Sequence, residues 1–254
     1  DVCSSDLKVI YLAPFAGSTK ILKYNLDGTF VTDYDLGERL NKPKLSLNPD
    51  GSISLVHLCF QGMSEMMGAV ITPDSTITKY IPAPGQAINP RDKNGSFVGF
   101  NNEIWSYNNV EGFKYMMMPV DTLYNYNAAA NKMEAQFALS NPPVGEDVFL
   151  IYDELPGKYL ATVWGKGTIV VDNKNNNSHY VKLVNDYFGG LPAPMNFTNG
   201  WFFAMYEPAV LMENIEKRMA ASDCTDKDKE LLKDLLGSLD ENDNNVMFIG
   251  KLKK

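Results

Sequence analysis

The sequence predicts an all-β fold, a β-propeller of four-stranded antiparallel blades, with a helical hairpin inserted near the C-terminal end. Turn signals recur at intervals of roughly 20 to 24 residues, as at Asp27-Gly28 and Asp50-Gly51, where a left-handed backbone costs little. Between the turns lie short runs rich in Val, Ile, Tyr, Phe and Trp, which are typical of strands. Two hairpins make a unit of about 45 residues, the length of one blade.

The predicted strands lie between Lys8 and about Tyr206. The unit 44–82 shows the blade pattern best, because an apolar hairpin around Asp50-Gly51 is followed by a second hairpin around Asp74. Regular turns also occur in β-sandwiches, so the period alone leaves that architecture open. The predicted strands are 9–12, 21–24, 53–60, 69–71, 97–100, 104–107, 113–118, 123–126, 149–152, 159–164, 168–171 and 201–205.

A helical excursion is predicted over about 208–238. Pro208 suits the first position of a helix, where its missing N–H needs no partner, and Thr225 suits the cap of a second helix. A final strand is predicted over 246–252. We expect the helices to pack on the β body through apolar residues at helical spacing, namely Leu211, Ile215, Leu232 and Leu235.

The first seven residues, 1–7, match an in-frame translation of the end of a common sequencing-library adapter. We interpret them as an artefact; the alternative is a genuine short N-terminal segment. On the first interpretation Cys3 carries no function, and residues 8–254 are a metagenomic fragment of one propeller domain. About four or five blades would then be present, and the strand near Lys8 would have an unpaired edge and an exposed apolar face over 8–15.

Composition excludes several classes of function. Lys and Arg number 23 against 31 Asp and Glu, the net charge is -8, and no basic block offers a surface for nucleic acid. No apolar stretch is long enough for a transmembrane helix. Two histidines and three dispersed cysteines exclude a three-histidine or cysteine-cluster zinc site. A Cys59–Cys224 disulfide stays open, although two buried thiols are favoured.

The search for catalytic and metal motifs gives no catalytic residue, no metal site and no cofactor. His57 lies inside an apolar run, which favours a packed, hydrogen-bonded histidine over a catalytic base. His179 follows a run of asparagines and is predicted to be a solvated loop residue. The segment 240–244 has oxygen-bearing residues in the manner of a calcium loop, but it lacks the loop glycine and the final glutamate, so a polar turn is favoured.

Two aromatic residues are the candidate binding residues. Tyr187 precedes Gly189-Gly190 in a predicted loop, and Trp201 follows the Asn199-Gly200 turn. Loops at one face of a propeller commonly form its binding surface, so the two rings are predicted to lie near each other as a stacking platform for a sugar or a peptide. The alternative is that both rings fill gaps between blades.

Four segments in order along the chain resemble the six-bladed β-propeller proteins of Bacteroides-type bacteria, a family of unknown function related in shape to NHL and TolB-like propellers. The family usually has Asp-Asn-Pro before the final strand, where this sequence has Asn245 in place of proline. The resembling segments are ILKYNLDGTFV at 21–31, DTLYNY at 121–126 with MEAQF at 133–137, VDNK at 171–174 with NDYFGG at 185–190, and the helical excursion with DENDNNV at 240–246.

The resemblance implies a secreted lipoprotein in the periplasm or anchored at the outer membrane, with its lipid anchor on a missing N-terminal part. It brings no catalytic residues. Six blades would need roughly 270 residues, so at least one N-terminal blade is expected to be missing.

Two functions remain open. The first is a non-enzymatic cell-envelope binding or scaffold protein, with an unidentified protein, peptide or glycan as its ligand; the missing motifs favour it. The second is a hydrolase or lyase that uses carboxylates or a metal in the central channel of the propeller.

Overall fold

The computed structural model describes residues 2–5, 9–141, 150–193 and 196–253. The chain divides into two compact units, 1–153 and 154–254. Sheets throughout the described residues are antiparallel meanders, in which strands that follow one another in sequence are neighbours in the sheet.

Three four-stranded sheets make up most of the first unit. Sheet 1 contains β1 (Val2–Ser5), β2 (Val9–Leu12), β3 (Lys20–Asn25) and β4 (Phe30–Asp35). Sheet 2 contains β5 (Lys44–Leu47), β6 (Ile53–Val56), β7 (Gly68–Ile71) and β8 (Ile77–Tyr80). Sheet 3 contains β9 (Ile104–Trp105), β10 (Phe113–Met117), β11 (Leu123–Asn127) and β12 (Lys132–Phe137).

The later part of the chain adds two sheets, a short strand pair and two helices. Sheet 4 contains β13 (Leu150–Leu155), in which the division of the units falls, β14 (Lys158–Val163), β15 (Gly167–Asp172) and β16 (Ser178–Val181). The short pair is β17 (Val184–Asn185) with β18 (Leu191–Pro192). Sheet 5 contains β19 (Asn196–Thr198), β20 (Trp201–Tyr206) and β21 (Val246–Lys251), and the helices α1 (Pro208–Ala220) and α2 (Asp226–Gly237) lie between β20 and β21 in sequence.

This arrangement confirms the predicted fold class: an all-β protein built from propeller blades, with a C-terminal helical hairpin. The described residues form five blades, within the predicted four or five, and the six blades implied by the resemblance are not confirmed. A repeat of about 45 residues overestimates the blade count here, because the connection 81–103 and the helical hairpin take up residues without adding a full strand.

The core of the first unit lies on both faces of sheet 2. Every residue of β6 and β7 is buried, which explains why their sequences are mainly apolar, with Ser54 as the one polar residue, rather than alternating. One apolar cluster joins sheets 1 and 2 around Ile21 and Leu55, and another joins sheets 2 and 3 around Met67 and Tyr115. Stacking of successive sheets through apolar faces is how propeller blades bury their surfaces.

The helical hairpin packs as predicted. Leu211, Ile215 and Leu232 are fully buried, and Leu235 is partly buried in the same cluster. The cluster also contains Ala204 and Tyr206 of β20, so the hairpin covers one face of sheet 5. At the start of α2, the Thr225 hydroxyl oxygen accepts a hydrogen bond from the Asp228 N–H at 3.2 Å, which is the predicted cap.

Three strand predictions need correction. Residues 97–100 are not a strand: Phe97 forms a single bridge with Arg91, and a 3-10 turn follows at Gly99–Asn101. The Asp92 carboxylate accepts hydrogen bonds from backbone N–H groups of the turn that follows it, so the chain reverses before a strand can extend. The predicted strand 53–60 ends at Val56, and the predicted strand 104–107 ends at Trp105.

The unpaired edge expected over 8–15 is also wrong. Strand β2 pairs with β1 on one side and β3 on the other, and Tyr11 and Ala13 are buried, although Phe15 is exposed. Backbone N–H and C=O groups are alike in every residue, so the segment 2–5 can complete the sheet whatever its sequence. Residues 1 and 6–8 lie outside the described part, and the adapter interpretation of 1–7 stays a prediction.

Candidate functional site

The two predicted binding residues are both exposed, but no described contact brings them together. Tyr187 lies on a 3-10 turn, Asp186–Phe188, and its ring contacts Phe188 edge-to-face at 5.0 Å. Trp201 begins β20, and the Lys251 ammonium lies 5.8 Å from the centre of its ring. The stacking platform therefore stays a prediction.

Tyr187 lines a cleft of about 510 Å³ between the 3-10 turn and α2. The other residues that line it are mainly acidic, and Trp201 is not among them. A sugar or peptide platform usually needs apolar surface beside the ring, so this cleft is a weak candidate for stacking. The lining residues are Asp186, Tyr187, Lys227, Asp228, Glu230, Leu231 and Asp234.

A better candidate lies in the first unit, in a pocket that we call the aromatic pocket. Its volume of about 460 Å³ falls in the range of small-molecule sites, and its surface is mainly apolar with two polar side chains. It is lined by Ala16, Gly17, Arg39, Asn41, Phe60, Met63, Phe97 and Phe100.

Three phenylalanine rings form the apolar wall. Phe60 is buried, and its ring lies edge-to-face against Phe97 at 5.9 Å and Phe100 at 6.3 Å between ring centres. The Phe97 and Phe100 rings contact each other at 5.5 Å. These two rings are 39% and 49% exposed, so they retain surface on which a ligand can pack.

Gly99 leaves room for the Phe97 and Phe60 rings to pack close to its backbone. A Cβ atom at this position would lie 2.8 Å from Phe97 Cζ and 3.0 Å from Phe60 Cζ, closer than carbon atoms pack in proteins. Glycine is needed here because there is no room for a side chain, and not because the backbone adopts a conformation that other residues avoid. Glycine is therefore the residue that fits between the rings at this position.

The ammonium group of Lys42 holds the aromatic wall against the segment that carries Arg39 and Asn41. Lys42 Nζ donates to the carbonyl oxygens of Phe100 at 3.1 Å and Asn102 at 2.8 Å, and to Glu103 Oε2 at 2.8 Å. A lysine ammonium has three N–H donors, and all three have acceptors here. Lys42 is 8% exposed, so its charge serves the structure and is not available to a ligand.

His57 and Glu38 fix the opposite wall. His57 is fully buried; its Nδ1 accepts from the Asn41 N–H at 3.3 Å, which places the ring proton on Nε2, 2.7 Å from the Met66 carbonyl oxygen. Glu38 Oε1 lies 3.5 Å from Nε2. The prediction of a packed, hydrogen-bonded histidine is confirmed.

Glu38 also ties down the turn that carries Met63. Its two carboxylate oxygens accept from the backbone N–H groups of Glu65 at 3.0 Å and Met66 at 2.9 Å. Burial acts to raise the pKa of the Glu38 carboxyl, but the hydrogen bonds from His57 and the two N–H groups outweigh it, so the pKa is lowered.

Arg39 is the polar group that the structure leaves for a ligand. It is exposed and lines the aromatic pocket, and within the described ranges no hydrogen bond or ion pair reaches its guanidinium. The neighbouring carboxylates are already engaged, Glu38 with His57 and backbone N–H groups and Glu103 with Lys42.

Another cleft in the first unit, of about 740 Å³, is less suited to be the site. Some of its polar side chains already have partners: the Asn48 amide donates to the Ser52 and Ser54 hydroxyl oxygens, and the Asp50 carboxylate accepts from the Ser52 hydroxyl. Groups that already have partners offer less to a ligand than the Arg39 guanidinium does.

The structure also places the other residues that the sequence analysis considered. Cys59 and Cys224 are free, buried thiols, so no disulfide joins them, and burial raises the pKa of Cys59 to about 11. His179 is exposed on β16 rather than in a loop. Asp240 accepts from the Asn242 N–H at 2.9 Å, in the polar turn that was favoured. No helix in the described part of the chain is long and apolar enough to cross a membrane.

Meandering four-stranded blades with their apolar faces stacked define a β-propeller protein. Among solved structures, the whole chain aligns with 77% of a Bacteroides fragilis NCTC 9343 protein that is provisionally described as exported, with a TM-score of 0.60 and 12% identity. At that identity the match shows the fold alone. No protein-family model matches the chain, and no curated protein matches it.

Two further structures align with lower scores that support no inference. Dihydro-heme d1 dehydrogenase NirN, in complex with DHE, aligns over 77% of this chain and 37% of its own, with 11% identity and a TM-score of 0.43. An auxiliary nutrient binding protein from Bacteroides thetaiotaomicron VPI-5482 aligns over 68% and 38%, with 9% identity and a TM-score of 0.37.

The Glu38 network predicts an acid-sensitive contribution to stability. Because the pKa of Glu38 is lower in the folded chain than its ordinary value of 4.5, this contribution is present above about pH 4.5 and is lost as the pH falls through the folded-state pKa. We expect Glu38→Gln to lower the free energy of unfolding by about 1–3 kcal/mol at pH 7 and by much less at pH 3. Denaturant unfolding at both pH values measures the difference.

The matched control is Glu65→Gln, since the Glu65 side chain is exposed. It should change stability little at either pH. An equal loss for Glu38→Gln at pH 7 and pH 3 would contradict the role assigned to its charge.

Gly99→Ala should disturb the aromatic wall. The added Cβ must displace Phe97 or Phe60, which we expect to cost about 1–3 kcal/mol in the free energy of unfolding. Gly237→Ala is the control, because a Cβ there meets no atom within 4 Å and alanine favours a helix. Equal free energies of unfolding for the two variants would contradict the close-packing role of Gly99.

Proposed function

We propose that the chain is a non-enzymatic binding protein of the cell envelope, which holds a small ligand in the aromatic pocket. The observation that carries this proposal is the combination, in one concave site, of two partly exposed phenylalanine rings and Arg39, whose guanidinium has no hydrogen bond or ion pair with any described residue. Sites of this kind are mainly apolar, with a few polar groups that orient the ligand.

The proposed location rests on one structural neighbour and on the family resemblance. The crystal structure that aligns with the whole chain is of a protein provisionally described as exported, and the sequence resembles a family of envelope lipoproteins. We therefore propose that this protein works in the periplasm or at the outer membrane. Its lipid anchor, and its likeness to NHL and TolB-like propellers, remain predictions of the resemblance.

The hydrolase or lyase alternative needs several Asp, Glu or His side chains that converge on one point. Within the described residues no group of three or more such side chains and cysteines is placed to hold a metal ion. Both ring nitrogens of His57 are engaged by the backbone. No specific observation favours this alternative.

Removal of the two exposed rings tests the proposed site. We expect 3-phenylpropanoate or its neutral amide, 3-phenylpropanamide, to bind the protein in isothermal titration calorimetry. The double change Phe97→Ala with Phe100→Ala should weaken that binding by at least about tenfold, because it removes the surface on which the ring packs.

Phe30→Ala is the matched control, since Phe30 is also exposed but does not line the pocket. It should leave the affinity unchanged. Failure of both probes to bind, or equal affinity in the double variant and the unmodified protein, would contradict the proposed site.

A further inference from the structure

The aromatic pocket is lined by one cationic residue, Arg39, whose guanidinium has no partner among the described residues and is open to solvent or a ligand. We infer that the ligand is a monocarboxylate with an aromatic or similarly flat apolar body, its carboxylate bound by Arg39 and its body packed on Phe97 and Phe100. This inference rests on the proposed function and names the class of ligand.

The charge at the pocket comes from Arg39. Lys42, the nearest other cation along the chain, is buried and uses its three N–H donors on Phe100, Asn102 and Glu103. Arg39 lines the pocket, and none of the described residues accepts from the five N–H donors of its guanidinium, which are left to solvent or a ligand.

A carboxylate fits this donor better than a phosphate does. The planar fork of a guanidinium matches the two oxygens of a carboxylate, and one positive charge balances one negative charge. A phosphate monoester carries nearly two negative charges at neutral pH, and the pocket lining holds no second cation for the remainder. The lining is otherwise Asn41 and apolar residues.

The overall charge of the protein opposes the binding of anions, so the local contact with Arg39 has to outweigh it. With a net charge of -8, the molecule as a whole repels anions. A carboxylate would therefore depend on the local contact with Arg39, and replacing that one residue should remove the preference for an anion.

The hydrogen bonds of Asn41 help to fix the backbone near Arg39. Its backbone N–H bonds to His57 Nδ1, and its amide Nδ2 lies 3.4 Å from the Leu58 carbonyl oxygen. These bonds hold the chain two residues beyond Arg39, as Glu38 holds the residue before it. The backbone that carries the guanidinium is thus fixed on both sides, which lowers the entropic cost of binding.

The test compares the two probes of equal shape and different charge, 3-phenylpropanoate and 3-phenylpropanamide, by calorimetry on the unmodified protein. We expect the carboxylate to bind about tenfold more tightly than the amide. Arg39→Gln should remove this preference, because it should weaken the binding of the carboxylate more than the binding of the amide. Arg39→Lys should keep part of the preference, because an ammonium keeps the charge without the fork.

Lys166→Gln is the control for net charge, since it removes one positive charge from an exposed turn that does not line the pocket. It should leave both affinities unchanged. Equal affinity for the two probes in the unmodified protein, or an unchanged preference in Arg39→Gln, would overturn the inference while leaving the binding site intact. Failure of both probes to bind would instead overturn the proposed function.

Discussion

The buried ammonium group of Lys42 is the constraint on which the candidate site depends. A charge removed from water is costly unless its donors are satisfied, and here two carbonyl oxygens and one carboxylate oxygen of the segment 100–103 satisfy all three. The connection between β8 and β9 is therefore anchored rather than free. Because Phe97 and Phe100 lie on that connection, the same bonds position the aromatic wall.

The nearby acidic side chains are engaged elsewhere, which explains why Arg39 has no partner among the residues that the structure describes. Glu38 is adjacent to it in sequence, but its oxygens accept hydrogen bonds from backbone N–H groups and lie close to His57. Glu103 is engaged by Lys42. The two carboxylates that shape the pocket walls thus hold its loops in place, and the guanidinium is left for a ligand.

Local sequence patterns predicted the blades and the helical hairpin because these depend on nearest-neighbour periodicity. Alternating or continuous apolar runs predicted most strands, and Pro208 and Thr225 marked the helix starts correctly.

The prediction of a strand over 97–100 is wrong because the chain turns at Asp92 and packs closely against aromatic rings at Gly99, in spite of the apolar run. The aromatic pocket was missed for the same reason: Arg39, Phe60 and Phe100 converge through long-range contacts that no local pattern records. Tyr187 and Trp201 are both exposed, and their convergence on one platform stays a prediction.

The most direct test of the account is a crystal structure of the protein with 3-phenylpropanoate. We expect the carboxylate of the ligand within hydrogen-bond distance of the Arg39 guanidinium, and its ring packed on Phe97 and Phe100. Lys42 should keep its three bonds, because they belong to the frame of the site. A ligand bound elsewhere, or bound in this pocket with its carboxylate turned away from Arg39, would contradict the account.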